Sequence, residues 1–169
     1  MASQVRGFQE IVTRLNSYSS NVQNEVKGIV EFNLGELERE AIANAPGGGD
    51  RIATEYGTMN INNVSDKYRG SFTPVNQAIG YEIERSGYKG SVFVEKSAGE
   101  ISIFIEMGTG QSAKNYLSTV PQFWRAIAAR YYISGDGTIL NRPFLYPAYA
   151  KYSLQFQKEL KQVFKRVRL

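Results

Sequence analysis

An α+β fold, with helices flanking one small antiparallel sheet, is predicted by three features of the sequence. These are a long apolar pattern of helical period at the N-terminus, short alternating segments in the middle, and a second amphipathic helical pattern at the C-terminus.

In the first, Val5, Phe8, Ile11, Val12, Leu15, Tyr18, Val22, Val26, Ile29, Val30, Leu34 and Leu37 recur at spacings of three and four, which predicts a helix over 4–44. Such a helix would be roughly 60 Å long, about twice the diameter of a compact domain of this mass, so the domain alone could not bury it. Gly28 and Gly35 each cost about 1 kcal/mol relative to alanine, and mark where a kink or a break into two consecutive helices would shorten it. Ala45-Pro46-Gly47-Gly48-Gly49-Asp50 ends the helix, because proline cannot continue it and three glycines carry a large conformational entropy. Residues 45–67 show no clear period and read as a mobile arm that orders on a partner.

Residues 68–142 read as a sheet with an inserted helix and hairpin. Candidate strands at 78–85, 90–96 and 100–107 form a meander. In the third, Ile101, Ile103, Ile105 and Met107 alternate with Glu100, Ser102, Phe104 and Glu106. A helix over 112–132 with Pro121 near its start would bury Phe123, Trp124, Ile127 and Ala128. Ser134-Gly135-Asp136-Gly137 turns a hairpin at 131–140. Residues 143–169 form the last helix, with Leu145, Tyr149, Tyr152, Phe156, Leu160, Val163 and Val167 on one face.

At 169 residues the chain has the length of a single domain, and no run approaches the roughly 18 apolar residues of a membrane span. With no cysteine and no histidine it lacks thiolate nucleophiles, disulfides, and the commonest metal ligand and general base, so most familiar enzyme mechanisms are excluded and no cofactor is expected. The net charge of +4 is mild. Its placement therefore matters more than its sum.

Four constellations bear on function. Gly108-Thr109-Gly110-Gln111-Ser112-Ala113 fits the dinucleotide pattern in letters, but Ala129-Arg130 stand where an acidic residue would hold the ribose, and the expected meander is not a parallel βαβ unit. Glu82 and Glu84, with Glu95, Glu100 and Glu106, could form a two-carboxylate hydrolase or a hard-cation site. On a half-buried sheet they are more simply solvent-facing acids, or partners for basic residues of an adjacent subunit. Lys158, Lys161, Lys165, Arg166 and Arg168 could contact DNA phosphates, or could complement the dipole at a helix C-terminus. Phe144, Tyr146, Tyr149 and Tyr152 are too dense for one helix face to bury, and aromatic residues of this kind are enriched in interface cores.

The order of segments resembles the tail-completion, or head-tail joining, proteins of lambdoid tailed bacteriophages. Ala45-Pro46, Tyr68-Arg69-Gly70-Ser71-Phe72, Glu106-Met107-Gly108-Thr109 and Pro143-Phe144-Leu145-Tyr146-Pro147-Ala148 match four successive family motifs, the last being the most specific. Departures are about twenty extra residues between the first two motifs, loss of a Thr-Gly pair before the second, and an enlarged stretch between Gln111 and Asn141. The resemblance implies a virion structural protein without catalytic activity, made in the host bacterial cytoplasm. It would form a homo-oligomeric ring at the neck and contact connector or tail proteins. Assembly would rest on Tyr68, Arg69, Ser71, Phe72, Glu106, Gly108, Thr109, Pro143, Phe144, Leu145 and Pro147. A DNA-backbone-binding neck or packaging factor and a carboxylate-dependent envelope hydrolase are the alternatives.

Overall fold

Two long helices pack side by side, and the second hairpin rests on the first of them. The computed structural model of the chain describes residues 18–47, 51–54, 57–60, 74–98, 101–129 and 139–167. Helix α1 (Ser20–Asn44) is followed by hairpin strands β1 (Arg51–Thr54) and β2 (Gly57–Asn60), then by a second hairpin of β3 (Ile79–Ile83) and β4 (Gly90–Val94). Three short helices come next, α2 (Ile101–Met107), α3 (Gly110–Thr119) and α4 (Gln122–Ala128), and the chain closes with α5 (Leu145–Val167). The class is mixed α+β and mostly helical, with a long helix near each end of the described chain and antiparallel strands between them.

Helix α1 runs unbroken through Gly28 and Gly35 and ends where expected: the Ala45 amide donates back to Ala41 O at 2.9 Å, and buried Pro46 stops the ladder. Residues 1–17 of the expected helix lie outside the described residues. A Cβ built on Gly28 or on Gly35 meets nothing within 4 Å. Gly28→Ala and Gly35→Ala are each expected to raise the unfolding free energy by about 0.5–1 kcal/mol, because alanine restricts the unfolded chain at no steric cost to the folded one. Urea unfolding curves check this.

Helix α5 lies antiparallel to α1. Near the α1 C-terminus, Leu37, Ala41 and Ala45 share a cluster with Phe144, Ala148 and Tyr152 of the α5 start. At the other end Val26 meets Val163, with Tyr88 from the β3–β4 turn. Polar pairs fix the register along this seam. Lys151 bonds Glu40 and Arg166 bonds Glu25 at the rims, while buried Asn33 donates to Glu159 Oε2 at 2.6 Å between them. Exposed pairs of this kind add little energy, so the apolar seam carries the stability and the pairs select the register. The Lys151 ammonium holds the Glu40 carboxyl below its usual range.

The β3–β4 hairpin rests on α1, with Ile79, Val92 and Val94 in or against the main cluster. Gly90 is required there, since a Cβ would lie 2.2 Å from Leu34 Cδ1 and 2.5 Å from the Glu82 carbonyl oxygen. Among the described residues no third strand joins it. The segment expected as a strand over 100–107 is helix α2 from Ile101 onward. Its alternating isoleucines also satisfy a helical repeat, in which Ile101 and Ile105 face the core and Ser102 and Glu106 lie one turn apart, all four buried. A run this short is ambiguous by period, and packing decided it. The helix expected over 112–132 is likewise two helices, broken at Pro121, which caps α4. Trp124 and Ala128 are buried, but Phe123 and Ile127 remain 45% and 40% exposed. Of the hairpin expected at 131–140, only Ile139 and Leu140 are described. The segment expected to be an arm without periodic structure contains the β1–β2 hairpin, paired from Arg51↔Asn60 to Thr54↔Gly57.

Candidate functional site

A helix leaves its first four amide positions without an intrahelical acceptor. At the start of α5 these are Phe144, Leu145, Tyr146 and Pro147. The capping position is Phe144, which has no side-chain oxygen to offer, so an acceptor must come from elsewhere. Glu106, the penultimate residue of α2, supplies it. Its Oε2 accepts from the amides of Phe144 at 2.7 Å and Leu145 at 2.9 Å, and its Oε1 from that of Tyr146 at 3.0 Å. Pro147 has no amide proton to satisfy. The four positions are thereby accounted for, and the carboxylate sits where the helix dipole favours negative charge.

Glu106 is only 3% exposed, and the Tyr116 hydroxyl donates to its Oε1 at 3.1 Å. A carboxylate offers about four lone-pair sites, and all of them are filled here. Burial, and then the neighbouring carboxylate, push the Tyr116 phenol above its ordinary range, so it stays a proton donor to Glu106.

The residues after Glu106 extend the junction. Gly108 adopts φ +74°, and a Cβ there would lie 2.9 Å from both the Asn141 amide nitrogen and Ser112 Oγ, which leaves glycine as the residue that fits. The Thr109 amide donates to Ile139 O and its Oγ1 accepts from the Ile139 amide, each at 2.9 Å. Ser112 Oγ donates to Asn141 Oδ1 at 2.8 Å and accepts from the Asn141 amide at 3.0 Å. The Arg142 amide closes the set on Ile105 O at 2.7 Å. Residues 105–112 are thus zipped to residues 139–146.

Of the residues singled out from sequence, Glu106, Gly108, Thr109, Pro143, Phe144, Leu145 and Pro147 are brought together in this junction, Phe144 being 1% exposed at its base. Tyr68, Arg69, Ser71 and Phe72 lie outside the described residues. Tyr116 was missed, while Ser112 and Asn141 stood within segments singled out from sequence but without the contact that joins them. The sequence signal for a remote acceptor was the uncapped start of α5.

Among the described residues no three acids gather as a metal site would need; Glu95 and Glu106 line one cavity of about 500 Å³, and Glu100 lies outside the described residues. Glu82 and Glu84 are exposed on the β3–β4 hairpin, Glu82 accepting from Ser91 Oγ at 3.0 Å, whereas Glu106 is buried on a helix. The Gly108-Thr109-Gly110 segment links two helices, so the strand-to-helix setting of a nucleotide loop is missing there. On the outer side of α5, Lys158, Lys161 and Lys165 are exposed at spacings of three and four. Arg166 is engaged with Glu25, and Arg168 lies outside the described residues.

Aromatic rings gather beside the junction. Phe123 meets Tyr149 with ring centroids 5.6 Å apart, Trp124 meets Tyr146 at 5.4 Å, and Tyr146 lies 6.5 Å from Tyr149. Tyr149 stays 40% exposed while Tyr152 is buried, so the aromatic cluster predicted from sequence divides between core and surface. No helix among the described residues is long and apolar enough to cross a membrane. No family model matches the chain, and comparisons with curated proteins and with solved structures give no match.

Proposed function

We propose that the chain is a non-enzymatic structural protein of a bacteriophage virion, assembling as a ring at the neck to complete the tail or join it to the head connector. The observation that carries this reading is the use made of the two segments on which the resemblance rests. Glu106, the one buried acid in them, is spent on capping α5, with every acceptor site filled and none left for proton transfer. The motif pair therefore reads as a structural lock that orients the long α1–α5 pair. Beside it Phe123, Ile127 and Tyr149 form an exposed apolar patch of the kind enriched at the centres of protein interfaces.

Deleting residues 48–66 is expected to leave a folded subunit that no longer assembles. Circular dichroism with analytical ultracentrifugation would check both halves of that statement, and assembly of the deleted chain would remove the arm from the mechanism.

The row Lys158, Lys161 and Lys165, exposed on α5, favours one second reading, in which the neck protein also touches the packaged DNA backbone. Duplex affinity should then fall by about a factor of ten or more between 50 and 200 mM salt, as expected for a few neutralised phosphates. Binding that is absent or indifferent to salt removes this reading.

A further inference from the structure

Among the described residues the β3–β4 sheet has two strands, and both outer edges carry backbone groups that neither strand can satisfy. The Glu84 amide bonds Lys89 O, and the Glu95 amide bonds Ala78 O. With the register Ile79↔Val94 to Ile83↔Gly90, these two bonds fix the alternation. Glu82 and Ser91, and Gly80 and Phe93, face one another, so the amides and carbonyls of Gly90, Val92 and Val94 point away from β3. Among the described residues these groups have no hydrogen-bond partner.

That edge is flanked by space. A cavity of about 590 Å³ reaches Gly90 at one end of β4, and another of about 500 Å³ reaches Val94 at the other; neither is lined by a residue of β3. The larger is walled by Tyr149, Tyr152 and Phe156 of α5, and the smaller mainly by α2 and α4, with Leu145 of α5; Val92, between the two, lines neither. Helix α1 floors the larger through Val30, Asn33 and Leu37, and the buried Asn33 Oδ1 has no donor. An unpaired strand edge with space at both of its ends is a place where an extended segment can add as a further strand.

The chain itself contains a matching segment. Hairpin β1–β2 is a separate two-stranded sheet, paired with neither β3 nor β4, and an isolated two-stranded hairpin is marginal unless it gains a partner. Its four-residue strands suit the five residues of β4.

We propose that the β4 edge receives the β1–β2 hairpin of a second copy of this chain, forming a four-stranded sheet across the subunit boundary. This rests on the assembly reading and specifies its interface. Donor hairpin and acceptor edge are different surfaces, so the contact is head-to-tail and propagates around a ring.

Two full-length variants test it. Val92→Pro removes an outward amide from an edge strand, a place where proline is tolerated, and so blocks the acceptor. Replacing residues 51–60 by a glycine-serine linker of equal length removes the donor and leaves the groove untouched. In sedimentation velocity each variant alone should self-associate at least about tenfold more weakly than the parent chain, the scale of one or two lost backbone hydrogen bonds. Mixed in equal amounts they should form a heterodimer and nothing larger, since one intact junction remains. Should Val92→Pro fail to fold, as judged by circular dichroism, the linker variant alone decides.

Unimpaired assembly of the linker variant overturns the inference while leaving the assembly reading standing. A parent chain that stays monomeric at every concentration overturns a second copy as the occupant. The neck role would then still be decided independently, by particles that lack the protein. A mixture of two folded variants that forms no heterodimer overturns the pairing of donor and acceptor.

Discussion

Replacing Glu106 by alanine is expected to lower the thermal midpoint by roughly 6–20 °C, corresponding to about 3–5 kcal/mol in a domain of this size. The substitution strips the acceptor from three amides at the start of α5 and from the Tyr116 hydroxyl, all close around a side chain that is 3% exposed. Each buried donor left unpaired costs about 1–3 kcal/mol, and water entering the space left by the carboxylate recovers part of the sum. Glu106→Gln keeps the volume and one acceptor oxygen, but turns an NH₂ group towards donors and removes the charge that suits the helix dipole. Its loss should be roughly half as large. Differential scanning calorimetry distinguishes these outcomes. A Glu106→Ala protein melting within about 2 °C of the parent would mean that the junction does not hold α5 in place.

Gly108→Ala is the second large effect, expected to cost about 2–4 kcal/mol from left-handed backbone strain and overpacking together. The positive φ penalises any side chain, and the Cβ would also press on the Asn141 amide nitrogen and Ser112 Oγ at 2.9 Å, in contacts fixed by the hydrogen bonds between those two residues. Gly87 provides the comparison. It has nearly the same φ of +75°, but the three atoms nearest a Cβ there all belong to the flexible Lys27 side chain, which can swing aside. Gly87→Ala should therefore cost only the strain, about 1–2 kcal/mol. The difference between the two variants in denaturant unfolding measures the close approach at the junction. Equal losses would show that the zipped segments are looser than their geometry implies.

The legible parts of the fold were those with local causes. Ala45-Pro46 ended α1 because proline and the glycines after it cannot continue a helix, and α5 followed from a period sustained over more than five turns. Strands β3 and β4 were found, β3 shorter than expected at both ends and β4 at its C-terminal end. What failed was decided by distant contacts. Residues 101–107 carry β-branched residues in an alternating pattern, yet they form a helix that puts Ile105 in the core while Glu106 reaches the amides of α5. Strand propensity is weak beside such packing. Phe123 and Trp124 are adjacent and cannot share a helix face, so grouping them in one buried stripe was an error that the helical period itself could have exposed.

The candidate site was half legible. Both segments were picked out by resemblance, but nothing in the resemblance said that they touch. The physical clue was α5 beginning at Phe144-Leu145 with no capping side chain of its own and with proline in the fourth amide position. A helix start of that composition demands a remote acceptor. Glu106 lies 38 residues from the first amide it binds, a separation that no local pattern encodes.

Electron microscopy of particles from a nonsense mutant in this gene, grown in a non-suppressing host, tests the joining role most directly. Filled heads lying apart from otherwise complete tails, or heads leaking DNA at an unfinished neck, are the expected result. Joined particles of normal appearance would contradict it.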